Sequence, residues 1–241
     1  MPRFFAEHFD FAHPVITGPD ADHIRKSLRM TVGEGLTVCD TMGTDYLCRI
    51  ADIADGAILL TVEETRPSDS EPKVAVTLFQ CLPKGDKLET VIQKSVELGV
   101  REIVPVLSSR CISRPDDKSM KKKLERYAKI AASAAKQSGR GVIPAVRPLL
   151  SFREMAERLA GFDRALFFYE GGGAPLRQLL TREETSIALI IGPEGGFDAA
   201  EAELAVSSGA KAVGLGRRIL RTETAPIAAL AGVMLLTGNL E

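Results

Sequence analysis

From Val74 onward the chain repeats one rhythm, and that rhythm restricts its fold more than any other feature. Apolar runs of strand length recur with helix-like segments between them: VAVTLFQ (74–80), EIVPVL (102–107), RALFFYE (164–170), SIALIIG (186–192) and AKAVGLG (210–216). A strand with one wet face alternates apolar and polar side chains. These runs do not alternate, so they belong in a sheet covered on both sides. Buried strands alternating with helices predict an α/β domain with a mainly parallel sheet.

Helix ends in this half are also marked. Asp86-x-x-Glu89, Ser151-x-x-Glu154 and Asp198-x-x-Glu201 each set an oxygen acceptor three residues before a glutamate that can reach back, the spacing of a capping box. Gly99, Gly139 and Gly209 stand where helices end in a left-handed residue. Leu88, Val91, Ile92 and Ser95 fall on one helical face. Between Lys118 and Arg140, eight Lys or Arg face a single Glu, so this predicted helix is strongly basic.

The N-terminal part reads differently. GLTVCD, DYLCRIADI and GAILLTVEET within residues 35–65 are short strands separated by Gly, Asp and Thr turns, a small β-rich unit. RPSDSEPK (66–73) is polar, holds two prolines and suits a linker. A net charge of −1 gives no general affinity for nucleic acid, so any basic surface must be local. Cys39, Cys48, Cys81 and Cys111 have no metal-ligand or C-x-x-C spacing, and the three histidines all precede residue 24. A metal site or disulfide framework is not expected, and a reducing compartment is. The first 15 residues lack a basic segment followed by an unbroken apolar one, and the longest apolar run, Ala225 to Leu236, is 12 residues. Neither a secretory signal nor a membrane span is predicted, which leaves a soluble, cytosolic protein.

The segment LIIGPEGGFD (189–198) runs an apolar strand into a Gly/Pro/Glu loop and then a capped helix. In open α/β sheets ligands bind where strands end and helices begin, and glycines let the backbone approach them. A phosphate-cradling loop needs G-x-x-x-x-G-K-[ST], which PKGDK (83–87) does not supply. A dinucleotide fingerprint fails because Ile219 occupies the last position of the nearest string, which begins at Gly214. The second informative segment, GLGRRILRTETAPIAALAGVMLL (214–236), passes from a Gly turn through Arg217, Arg218 and Arg221 to a helix capped by Thr224 with Pro226 in its first turn. Apolar on nearly every side, that helix must be buried on more than one, in the core or at a subunit interface.

Together, IIGPEGGFDAAE (190–201) and LGRRILRTETAPIAAL (215–230) resemble the signature pair of the SPOUT-class RNA methyltransferases, specifically the 16S rRNA uracil-N3 methyltransferase (RsmE) family. The resemblance extends through KGDKLETVIQKSVELGVREIVPVLSSRC (84–111), RYAKIAASAAKQSGR (126–140) and HIRKSLRMTVGEGLTVCD (23–40), nearly the whole chain. Two departures stand out. Lys136 occupies a position where the family usually carries an acid, and Tyr127 one where Trp is common.

The resemblance implies a PUA-like, RNA-binding β-barrel over residues 1–70 and a SPOUT methyltransferase domain over 71–241, tied in a trefoil knot and working as a homodimer. It implies S-adenosyl-L-methionine as cofactor, 16S rRNA or the small ribosomal subunit as partner, and N3 of a uridine as acceptor. The cofactor pocket would be made by Glu170, Gly171, Gly192, Pro193, Glu194, Gly195, Gly196, Leu215, Gly216, Ile219 and Leu220. Arg221 and Arg3 are candidates to stabilise an anionic uracil, and Glu194 or Glu223 to accept its proton. Residues to 66 hold six Lys/Arg against eleven Asp/Glu, so RNA contacts are expected from clusters: Arg25, Lys26 and Arg29, then Lys122, Arg126 and Arg140. Two alternatives remain at this point: a SPOUT enzyme acting on tRNA ribose 2′-oxygens, and a non-catalytic RNA-binding module.

Overall fold

The computed structural model describes residues 1–6, 10 and 12–240; His8, one of the three histidines, lies outside them. The chain divides into two compact units, Met1–Glu71 with Ala135–Ile143, and Pro72–Ala134 with Pro144–Glu241.

The first unit contains β1 (Arg3–Phe5), β2 (Val15–Thr17), α1 (Gly18–Asp22) with a π-helical turn over His23–Ser27, β3 (Gly35–Cys39), β4 (Thr44–Ala54) and β5 (Ala57–Pro67). The strands form one sheet in the order β1-β3-β4-β5-β2, with β1 parallel to β3 and the other pairs antiparallel. Cys48 and Ile50 are buried while Arg49 and Ala51, which alternate with them, are exposed, the period of two that a half-buried strand requires. Phe4, Ile24, Leu36, Val38, Ile50 and Ile58 fill the core. Strands expected to be short are longer: β4 and β5 run 11 residues each, and their pairing absorbs two register shifts.

The segment 66–73 is not a free linker. Arg66 and Pro67 complete β5, and the Glu71 carboxylate accepts from Arg140 Nη2 at 2.6 Å, Gly141 N at 2.8 Å and Val142 N at 3.2 Å. Burial pushes the Glu71 carboxyl up, but the Arg140 guanidinium and these N–H groups outweigh it and leave the group below its usual range. Lys136 is held in the same unit by the Asp20 carboxylate and lies 4.8 Å from the centre of the Phe4 ring. The departure at Lys136 therefore has a local counter-charge.

The second unit is built on β6 (Ala75–Cys81), α2 (Lys87–Glu97), β7 (Glu102–Leu107), α3 (Asp117–Ser138), β8 (Ala145–Val146), β9 (Leu150–Ser151), α4 (Phe152–Arg158), β10 (Arg164–Phe168), β11 (Ala174–Pro175), β12 (Ser186–Ile191), α5 (Ala199–Ser207), β13 (Lys211–Gly214) and α6 (Ala225–Leu236). The last turn of α3 groups with the first unit. Eight strands form one sheet, β11-β13-β10-β12-β6-β7-β8 with β9 beside β8 on β7, and every pair is parallel. The central strands are buried almost throughout, as their unbroken apolar runs require. β12 inserts between β10 and β6, and β13 lies on the far side of β10.

Capping boxes form at Ser151/Glu154 and Asp198/Glu201, and Gly99, Gly139 and Gly209 all have positive φ. Two expected caps do not form. Asp86 has φ −97° and ψ 11°, not the extended backbone from which a side chain reaches back, and it makes no side-chain cap. Thr224 caps nothing with its hydroxyl; the start of α6 relies on Pro226 and on Arg221 O, which accepts from Thr224 N and Ala225 N. α6 packs on α2, β6 and β12, burying Leu230, Val233 and Met234, but Leu235 stays 54% exposed, so not every apolar side is covered within the chain. Among the described residues no helix is long and apolar enough to cross a membrane.

Candidate active-site cleft

Three adjacent parallel strands, β12, β10 and β13, end at one edge of the sheet, and the loops that follow them enclose a cleft of about 670 Å³. Ligand pockets of roughly 300–1,000 Å³ are typical of small molecules. One wall is the loop after β12, Gly192 to Gly196; the opposite wall runs from Leu215 to Thr222; Tyr169, Glu170 and Gly172 close the third side. All proposed pocket residues except Gly171 line it directly, and Gly171 sits between two that do.

Sequence explains why the first wall is glycine. Gly196 has φ +66°, and a Cβ there would collide with the Glu170 carboxylate; a Cβ on Gly192 would press on the Phe197 ring at 2.9 Å. Both positions keep main-chain groups at the cleft surface rather than side chains. Leu215 and Leu220 are partly buried apolar sides, whereas Ile219 is 91% exposed although it lines the cleft.

Each wall is tied down. Thr222 Oγ1 donates to Gly192 O at 2.8 Å, and the buried Gln80 amide donates to Thr222 Oγ1 at 3.2 Å and to Gly192 O at 3.4 Å. Arg110 Nη1 donates to Gly195 O at 2.9 Å. Glu194 accepts from Lys84 N at 3.1 Å and Lys87 Nζ at 2.8 Å. Partial burial works against the ionised form, but Lys87 and the backbone N–H groups prevail and hold the Glu194 carboxyl below its usual range. Lys87 Nζ also lies 3.4 Å from Glu223 Oε2. Glu194 is thus an ionised tie, already engaged on both sides.

Arg221 lines the cleft, is exposed, and forms no ion pair among the described residues, because Glu223 turns to Lys87 instead. Arg3 belongs to the first unit. Its guanidinium grips Asp45 with two bonds of 2.7 and 2.6 Å, and Asp45 is 1% exposed.

Of the basic residues expected to meet RNA, Arg140 is corrected outright: it is 3% exposed and paired with Glu71, so its charge is spent inside the first unit. Arg25 and Lys26 are partly neutralised by Asp22, and Arg25 also by Asp55. Arg29 projects from a left-handed residue, φ 51°, and like Lys122 is exposed without an ion pair among the described residues. Arg126 pairs with Glu89 at 2.6 Å. Among the described residues no three His, Cys, Asp or Glu gather as a metal site would need.

Sequence reasoning missed Lys87, Thr222 and Gln80. Lys87 ends PKGDK, which fits no phosphate loop and falls within the 84–111 resemblance without a role of its own, and Gln80 is the polar residue near the end of an apolar strand.

Comparison with known proteins gives the chain a family. A family model described as an RNA methyltransferase domain matches residues 70–234, and one described as an RNA methyltransferase PUA domain matches residues 16–63. The chain is similar to ribosomal RNA small subunit methyltransferase E of Bacillus subtilis, 36% identical over 225 residues, covering 90% of this chain and 88% of that protein. It is 34% identical over 222 residues to the protein of the same name from Synechocystis, covering 90% and 71%. Among solved structures it is similar to a ribosomal RNA small subunit methyltransferase E from Neisseria gonorrhoeae bound to S-adenosyl methionine, with a TM-score of 0.85, 32% identity and 98% of each chain covered.

Proposed function

The chain belongs to the RNA methyltransferase family that includes the small-subunit ribosomal RNA methyltransferases E, and from that premise we propose that it methylates N3 of a uridine in 16S rRNA, forming 3-methyluridine. Its cofactor is S-adenosylmethionine, the molecule bound in the similar Neisseria structure. The observation that carries the reading is the cleft itself: glycine-walled, apolar-sided, and open at strand ends beside an unpaired arginine. Glycines at 192, 195 and 196 let a nucleoside approach the backbone with no side chain in the way, and Leu215 and Leu220 give its base apolar sides.

S-adenosylmethionine supplies a sulfonium methyl that is already electrophilic, so the chain's tasks are placement and charge control. N3 of uracil becomes nucleophilic as its proton leaves, and negative charge spreads onto the flanking oxygens. Arg221, free and exposed at the cleft, is the group we assign to stabilise that charge. Arg3 is a weaker candidate because Asp45 already uses its fork. Glu194, ionised and engaged by Lys84 and Lys87, suits holding the cleft better than accepting a proton.

We assign RNA binding to residues 1–70, with Arg29 as its clearest free cation, and catalysis to 71–241. Work on ribosomal RNA would be cytoplasmic. A trefoil knot, which the resemblance implies, is consistent with the insertion of β12 between β10 and β6 and the return of α6 onto β12 and β6 after β13. A homodimer is what the resemblance implies, and α6, apolar on nearly every side yet with Leu235 left 54% exposed, offers it a surface.

Mass spectrometry of 16S rRNA nucleosides from a deletion strain tests the reading. Loss of 3-methyluridine, restored by the returned gene, is expected; persistence would refute the N3 assignment. Calorimetric titration with S-adenosylmethionine tests the cofactor, and absence of binding would favour a non-catalytic RNA-binding module.

A further inference from the structure

The two main walls of the cleft are fastened to each other twice. The inner fastening is neutral and buried: Thr222 Oγ1 on Gly192 O, backed by Gln80. The outer one is ionic. Lys87 reaches from the first turn of α2 to Glu194 in one wall, at 2.8 Å, and to Glu223, just past the other, at 3.4 Å. Glu223 Oε2 is buried and has no hydrogen-bond partner, so the Lys87 ammonium is what offsets its charge. All three side chains are roughly one-third exposed or less, a setting less screened than open surface.

Helix stability does not account for this lysine. At the start of α2 its positive charge opposes the helix macrodipole, where a carboxylate would be favoured. Nor does a simple surface pair, since one amine serves two carboxylates from segments about 30 residues apart. Without it, Glu194 and Glu223 would face each other as like charges, and the walls that carry them would be pushed apart.

We propose that Lys87 is a positioning residue that clasps the 192–196 wall to the segment following the 215–222 wall, and so sets how tightly the cleft holds its nucleoside cofactor. The inference rests on the cofactor reading above. Arginine can bridge two carboxylates with its fork, whereas methionine keeps the unbranched stem and removes the ammonium with its charge.

The test uses the full chain as wild type, Lys87→Met and Lys87→Arg. Calorimetry with S-adenosylmethionine is expected to give about tenfold weaker binding for Lys87→Met, with KM for the cofactor raised in parallel, kcat nearly kept, and binding restored by arginine. In the cofactor-free protein, amide exchange in residues 192–196 and 215–224 is expected to quicken in the methionine variant and not in the arginine variant. Wild-type affinity in Lys87→Met, a loss confined to kcat, or an arginine variant as weak as methionine would overturn the proposal. If wild type itself fails to bind S-adenosylmethionine, the cofactor reading falls, while unchanged loop exchange in Lys87→Met would separately refute the clasp.

Discussion

At the scale of single residues, charge was visible in the sequence but its destination was not. Arg140 and Arg221 look alike on paper, yet Arg140 is consumed by Glu71, 69 residues earlier, while Arg221 is left free at the cleft. Arg221→Ala is expected to leave thermal unfolding unchanged and to lower kcat far more than cofactor affinity, on the order of 100-fold for loss of one charge-stabilising donor. Steady-state kinetics beside calorimetry decide this; equal losses would move Arg221 into the cofactor pocket. A second residue makes a pH prediction. Asp163 accepts from Thr185 N at 2.8 Å, Thr185 Oγ1 at 2.8 Å and Ser186 N at 3.0 Å, which holds its carboxyl down to about 2 from 3.8. Its folded value lies below its unfolded one, so the stability it lends is complete above about pH 4 and is lost as pH falls toward about 2. Asp163→Asn should flatten that acid limb in denaturant titrations run across the interval, and should match wild type in slope near neutrality.

At the scale of elements, the sequence was most informative where structure depends on neighbours in the chain. Strand-length apolar runs became the central strands because burial on both faces leaves no room for alternation. Capping signals show the limit of that legibility. Asp86 and Asp198 both precede a glutamate by three, but only Asp198 has the extended backbone, φ −82° and ψ 171°, that lets its carboxylate accept from Glu201 N at 2.8 Å. Glu201 in turn holds Ser109 N at 2.7 Å, joining α5 to the turn after β7. Asp198→Ala should therefore cost about 1 kcal/mol, whereas Asp86→Ala should cost little, measured as shifts in urea midpoint at constant m-value. Strand order was not legible at all. Nothing in the runs themselves says that β12 enters between β10 and β6, because that choice is made by packing between segments distant in the chain.

At the scale of the whole molecule, two compact units share one chain unevenly, since 135–143 returns to the first after most of α3 has been laid down in the second. The Arg140–Glu71 pair belongs to that return, as does the hydrogen bond from Cys39 Sγ to Gly141 O. Removing one partner of a buried pair leaves the other poorly compensated, so Glu71→Gln should destabilise the first unit by about 3 kcal/mol, read as faster amide exchange in β3 to β5. The same return sets an order of assembly during synthesis. A nascent chain that has emerged as far as Glu71 carries every strand of its first sheet but lacks the guanidinium and backbone amides that Glu71 will bind. That sheet must wait, unsealed, through the making of β6, α2, β7 and α3 before residues 135–143 can close it, so the unit begun before the other is completed only after much of that other has been made.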